Sequence, residues 1–302
     1  MNFTKQTYLL DGGMGQELLK RGLKENNVLW SAAALVSDPA LVQTIHEDYI
    51  QAGADIIITN TYTATRIRFD QCGLTDRFVE LNQLAGTLAQ QAREQQANPN
   101  VLIAGSLPPY YGTYRPENAR SFEESFPLYQ EQADILAPYV DFFLCETMST
   151  AEEAHAAATA AASTGKPVWV SWTLADGGAD TLRSGETIAE AAQALVELPI
   201  EAFLVNCCVP ESVTAAMPQL AKLDAPFIGG YANGFVGIPQ DWQMDNSIDA
   251  LGSRTDLTPG TYAEYVQHWL AAGARIVGGC CEIGPAHIAR LRRLIDGLPN
   301  RD

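Results

Sequence analysis

Cysteine is the residue type through which this chain could do its most specific chemistry. Cys207 closes the run Phe203-Leu-Val-Asn-Cys-Cys, and Cys280 and Cys281 close Ile276-Val-Gly-Gly-Cys-Cys. Both runs are apolar and strand-like up to their thiols. A fold that gathers strand ends would bring three soft ligands to one point, and zinc is the natural ion for such a set. Three thiolates fill three corners of a tetrahedron and leave the fourth for a substrate atom, whereas a structural zinc site is closed by four protein ligands. Neighbouring side chains on a regular strand point to opposite faces, so Cys280 and Cys281 share an ion only if the strand stops before them. Gly278-Gly279 supplies the freedom for that turn. By the same alternation Cys208 faces away from Cys207, into the helix layer or the next loop. Taken alone, Gly-Gly-Cys-Cys also fits simple packing of small residues; the third thiol at Cys207 favours the metal.

Two carboxylates stand in comparable places. Asp11 opens Asp11-Gly-Gly-Met-Gly, and Glu146 ends Asp141-Phe-Phe-Leu-Cys-Glu. The glycines from Gly12 onward lack the GxGxxG spacing of a dinucleotide site; they let a ligand lie against bare backbone beside an acid. All four histidines, His46, His155, His268 and His287, fall on predicted helices, in packing or surface roles. Two carboxylates without a histidine suit gripping an ammonium group at least as well as acid–base work. The competing structural roles are a helix cap for Asp11 and, for Glu146, an ion pair with Arg66 or Arg183. Cys72 and Cys145 read as packing residues.

These residues need a scaffold that makes strand ends converge. Eight short apolar runs punctuate the chain, starting at Tyr8, Asp55, Val101, Asp141, Val168, Ala202, Pro226 and Arg275. Near-continuous apolar strands are expected where both faces of a parallel sheet are covered. Helical periodicity fills the gaps, with legible helices at 39–52, 78–96 and 149–163, bounded by cap residues and Gly or Pro stops. Eight strand–helix units in 302 residues predict one α/β domain over 1–302, a (β/α)8 TIM barrel, whose active sites lie at the C-terminal strand ends. An open doubly wound sheet is the alternative; it would leave the sixth and eighth strand ends in a line. Asp11, Asn60, Ser106, Glu146, Asn206, Cys207, Tyr231, Cys280 and Cys281 all occupy that predicted rim.

Composition narrows the partners. A formal charge of −17 disfavours nucleic acid and mildly favours cationic ligands. No apolar stretch reaches the roughly 18 residues of a membrane span, and Met1-Asn-Phe-Thr-Lys-Gln-Thr has no signal-peptide character. A cytoplasmic protein is expected, monomeric or a small homo-oligomer, with its six cysteines reduced.

Together, Asp11-Gly-Gly-Met-Gly, Thr59-Asn-Thr-Tyr, Glu146-Thr, Val205-Asn-Cys and Gly278-Gly-Cys-Cys resemble the zinc-dependent homocysteine S-methyltransferase family, in order and across the whole chain. The resemblance implies that zinc on Cys207, Cys280 and Cys281 binds the homocysteine thiol. It also implies that Asp11 and Glu146 hold the ammonium, with Gly12 and Asn206 among the substrate-binding residues. The expected product is methionine. Betaine-using members are longer, with a carboxyl-terminal assembly arm, and folate and cobalamin enzymes carry further modules. A sulfonium donor is therefore expected, S-methylmethionine ahead of S-adenosylmethionine. Rim loops after the third strand (106–115) and the seventh (231–258) would cover it, with Tyr110, Tyr111, Tyr114 and Trp242 as aromatic candidates outside the expected site set. Two other readings remain at this level: a zinc- or thiol-binding barrel without turnover, and a metal-free lyase using Asp11 and Glu146.

Overall fold

The computed structural model describes residues 5–24, 28–176, 181–239, 242 and 248–298. Its eight strands are β1 (Tyr8–Leu9), β2 (Ile56–Ile58), β3 (Leu102–Leu107), β4 (Phe142–Met148), β5 (Val168–Trp172), β6 (Ile200–Asn206), β7 (Phe227–Tyr231) and β8 (Ile276–Val277). Each coincides with or overlaps a run expected from the sequence. All pair in parallel, in the order β1-β8-β7-β6-β5-β4-β3-β2. The circle closes through a parallel bridge between Leu10 and Ile56, where Asp11 N–H donates to the Ile56 carbonyl (2.9 Å) and Asp55 N–H to that of Leu9 (2.7 Å). The sheet is therefore a barrel, and the open-sheet alternative falls.

Strand alternation divides the core into two layers. Tyr8, Leu10, Ile56, Phe142, Leu144 and Trp169 pack inside the barrel among small residues such as Ala104 and Ala202. Trp169 fills much of this space, its ring centroid 4.3 Å from that of Phe142. The alternate residues Leu9, Ile57, Ile103, Phe143, Val170 and Val205 face outward and pack in the larger layer beneath the helices.

Helix boundaries follow local chemistry. Pro39–Gln51 begins with Asp38 accepting the Leu41 N–H (3.2 Å) and stops before Gly53, whose φ is 99°. Phe78–Gln95 ends one residue earlier than expected. Ala151–Ser163 starts two residues later than expected because the Thr150 hydroxyl, accepting from Glu153 N–H (3.0 Å), sets the first turn. Helices Phe122–Leu136, Ile188–Gln193, Pro210–Leu220, Pro259–Ala271 and Pro285–Asp296 continue the outer layer. All four histidines lie on helices, as expected. Among the described residues no helix is long and apolar enough to cross a membrane.

Candidate metal and substrate site

Alternation would send Cys207 outward with Phe203 and Val205. Its φ of 52°, in the left-handed region, breaks the pattern directly after β6 and turns the thiol toward the barrel mouth. Cys208, next in the chain, is buried in the outer layer, and burial pushes its thiol up to about 12. β8 ends at Val277, so Cys280 and Cys281 are free of strand geometry. The intervening glycines are required for space and not for positive φ: a Cβ on Gly278 would lie 2.5 Å from Leu10 Cβ, and one on Gly279 2.1 Å from Ile283 Cγ2. Cys280 N–H donates to the Ala232 carbonyl (2.9 Å) and Ile283 N–H to that of Cys280 (3.1 Å), fixing the turn that presents both thiols.

The three sulfurs meet. Cys280 Sγ lies 2.8 Å from Cys207 Sγ and 4.0 Å from Cys281 Sγ, and all three lie within 4.8 Å of one another. Sulfurs bound at about 2.3 Å around one tetrahedral zinc stand about 3.8 Å apart, so this donor set fits a single soft cation. Hydrogen bonds from Cys280 and Cys281 hold the Cys207 thiol well below its ordinary value, favouring a thiolate there.

Beside the thiols opens a cavity lined by Asp11, Gly12, Glu146, Tyr231 and all three cysteines. Asp11 does not cap the following helix, Met14–Lys20, whose N-cap is Gly13 with no side-chain bond. Instead its Oδ2 accepts the Ile58 N–H (2.9 Å), while Oδ1 is buried without a partner. Burial raises its carboxyl well above the usual range, and the nearby Glu146 adds to the rise. Glu146 accepts from Ser106 Oγ (2.5 Å) and Tyr231 OH (3.1 Å), and burial pushes it up to about 7 despite both bonds. Neither arginine considered for it is its partner: Arg66 pairs with Glu131 and Arg183 with Asp176. Among the described residues no Lys, Arg or His lines the cavity.

The structure places the other two expected substrate residues, Asn206 and Gly12, differently. Asn206 continues the inward face of β6 and is fully buried, but it does not line the cavity. Its Oδ1 accepts from Thr147 N–H (2.9 Å) and Ser171 Oγ (2.7 Å), and its Nδ2 donates to Thr147 Oγ1 (2.8 Å). Its amide thus braces Thr147, held at a φ of 62° immediately after Glu146. Gly12 does line the cavity, yet the space its missing Cβ leaves is filled by protein: the Ile283 carbonyl would lie 2.0 Å away. Gly13 similarly admits the Cys280 carbonyl (2.8 Å), and Tyr49 OH donates to the Gly13 carbonyl (3.2 Å). The glycine-rich turn is a packing joint between the first and last strand ends.

Of the aromatic candidates, Tyr114 and Trp242 line the cavity. Tyr110 is buried elsewhere, its hydroxyl on Gln132 Oε1 (2.7 Å), and Tyr111 lies under Arg120. Positions 240–241 and 243–247 of the second rim loop lie outside the described residues. Trp30, Tyr62 and Phe235 also face the cavity without having been singled out as site residues. Trp30 packs against Gly15, where a Cβ would meet its ring at 2.4 Å, an approach that nothing in the sequence announces.

Fold and site together define a (β/α)8 barrel with a three-thiol cluster and a carboxylate-walled cavity at its C-terminal mouth. The homocysteine S-methyltransferase family model matches residues 8–295. Homocysteine S-methyltransferase from Escherichia coli strain K12 is 32% identical, with 94% of each chain covered. Homocysteine S-methyltransferase 4 from Zea mays is 30% identical over 95% of this chain and 89% of its own. The metallated crystal form of the E. coli homocysteine methyltransferase MmuM superposes with a TM-score of 0.82 at 31% identity, covering 96% of this chain and 97% of that one. The chain belongs to the homocysteine S-methyltransferase family.

Proposed function

We propose that this protein transfers a methyl group from a sulfonium donor, S-methylmethionine, to homocysteine, using zinc held by Cys207, Cys280 and Cys281 in the cytoplasm. As a member of its family it is an enzyme of the methyltransferase class. The observation that carries the reading is the meeting of three thiols from two distant strand ends beside a carboxylate oxygen that has no partner. A metallated relative supports the metal, and the soft donor set favours zinc. Bound zinc supplies Lewis acidity that keeps the thiol of homocysteine deprotonated at neutral pH.

The protein's own groups do the positioning. Asp11 Oδ1 accepts from the homocysteine ammonium, and Glu146, steadied by Ser106 and Tyr231, offers a second acceptor on the same wall. The aromatic residues Tyr62, Tyr114, Phe235 and Trp242 line the cavity, exclude water and offer ring faces to a sulfonium. In the displacement the homocysteine sulfur forms a bond to the methyl carbon as the methyl–sulfonium bond breaks. The electron pair stays on the donor sulfur, and the thiol proton goes to solvent. S-methylmethionine and homocysteine thus yield two methionines and one proton.

The test supplies homocysteine with S-methylmethionine, S-adenosylmethionine, betaine or methylfolate and measures methionine, alongside the metal content of the protein. S-methylmethionine is expected to give the highest rate, with about one zinc per chain, and Cys280→Ala to lose both metal and turnover. No methionine from any donor, or full activity in Cys280→Ala, would overturn the reading.

A further inference from the structure

Cys207 holds a backbone conformation that a non-glycine residue keeps only when its surroundings fix it. Two contacts beyond the sheet do so. Thr173 Oγ1 donates to its carbonyl at 3.3 Å, and Tyr114 OH lies 2.9 Å from its sulfur, donating when that sulfur is a thiolate. Both contacts lead to one residue. Arg183 places its guanidinium carbon 4.6 Å from the centre of the Tyr114 ring and its Nε 3.5 Å from Thr173 Oγ1. Its far edge is anchored, with Nη2 3.3 Å from Asp176 Oδ2, an oxygen that also accepts the Ile238 N–H at 2.7 Å. Tyr114 has a φ of 66°, and its ring packs 5.7 Å from that of Trp242.

Chemistry gives this cluster a purpose. Three thiolates around a divalent cation carry a net negative charge, and the cavity walls among the described residues contribute only carboxylates and no cation. Arg183, its side chain 11% exposed, stands directly behind the ring that touches Cys207. Only a planar guanidinium can lie on a ring face while its edge donates to two oxygens, so lysine would not reproduce the arrangement.

On the metal-centred reading above, we propose that Tyr114, Thr173 and Arg183 form a positioning unit for Cys207. The unit grips the sulfur and the carbonyl together, so that the thiolate is presented to the metal in one orientation with its charge partly offset. Groups behind a ligand typically govern metal affinity about 10- to 100-fold.

The decisive variants are Tyr114→Phe, which keeps the ring against Arg183 and Trp242 and deletes only the hydroxyl, and Arg183→Met and Arg183→Lys. Zinc affinity is measured by competition with a chromophoric chelator, and the thiolate-to-metal absorption is recorded on the cobalt-substituted protein. Tyr114→Phe and Arg183→Met should each weaken zinc binding about 10- to 100-fold and shift the cobalt band, and Arg183→Lys should not restore the parent values. Tyr114→Phe preserves the buried ring and decides the matter if the arginine variants do not fold. Parent-like affinity and spectrum in Tyr114→Phe, in an enzyme that itself binds zinc and makes methionine, would overturn the positioning unit and leave the proposed function standing. A parent protein that binds no zinc would overturn both.

Discussion

Glu146 concentrates the competing demands on a side chain in this cavity. Burial disfavours its charge, while Ser106 and Tyr231 donate to its two oxygens and favour it; burial wins, and the group ionises near 7. Its folded value lies above the ordinary 4.5, so the native state holds a proton that the unfolded chain has released between those values. Its contribution to folding therefore declines as pH rises from about 4.5 to about 7. Ligand binding has the opposite sign. An ammonium needs the carboxylate, so homocysteine should bind more tightly as pH rises through about 7, and Glu146→Gln should flatten that rise. The KM for homocysteine from pH 5.5 to 8.5 in both proteins, about 1 unit or more either side of the transition, is the measurement. An unchanged slope in Glu146→Gln would assign the titration to another group. Asp11 differs in kind: its unpartnered Oδ1 faces the cavity and leaves a buried acceptor unsatisfied until a donor arrives.

Among the elements, the helix Pro39–Gln51 carries a polar group with no evident service to the site. His46 is fully buried, neither ring nitrogen has a partner, and burial alone lowers its pKa to about 4. Below its ordinary 6.5 the unfolded chain takes up a proton that the native state refuses, so stability is lost as pH falls from about 6.5 toward 4. The loss approaches about 3 kcal/mol. His46→Leu should remove that acid sensitivity and stabilise the protein at neutral pH by about 1–3 kcal/mol, read from urea unfolding at pH 7.5 and pH 5. The same elements show what can be read from one sequence. Strand runs ending in Cys207, Glu146 and Cys280 were legible because apolar continuity followed by a polar residue is local information. The task of Asn206 was not, because it depends on pairing across to Thr147 and Ser171, and alternation alone placed the residue at the rim without saying whether it faced cavity or barrel. Gly12 announced close approach correctly, but whether ligand or protein fills the space is settled by Ile283, over 270 residues away in the sequence; Gly279, expected to free the turn, is needed instead for space against the same residue. Thr173 and Arg183 support Cys207 from the loop after β5, a relation carried by no motif.

For the molecule as a whole, barrel closure turns separate strand ends into one electrostatic environment. The cavity gathers two carboxylates and three thiols with no basic side chain among its described lining, in a chain of formal charge −17. Low-dielectric walls focus such a field outward through the mouth, so it attracts cations and is indifferent to neutral zwitterions. The two proposed substrates differ in that respect. Homocysteine at neutral pH carries one ammonium and one carboxylate, while S-methylmethionine adds a sulfonium and is a net cation. Dissolved salt shortens the reach of the field from about 30 Å at 0.01 M to about 8 Å at 0.15 M. Raising ionic strength over that range should therefore lower kcat/KM for S-methylmethionine, by about 10-fold if attraction through the mouth limits capture, and leave kcat/KM for homocysteine nearly constant. Steady-state kinetics with each substrate varied against saturating partner, in sodium chloride and again in a second monovalent salt, make the comparison. Equal salt dependence for both substrates would mean that the acidic cavity acts only by contact, and that the charge of the whole molecule contributes nothing to choosing a cationic donor.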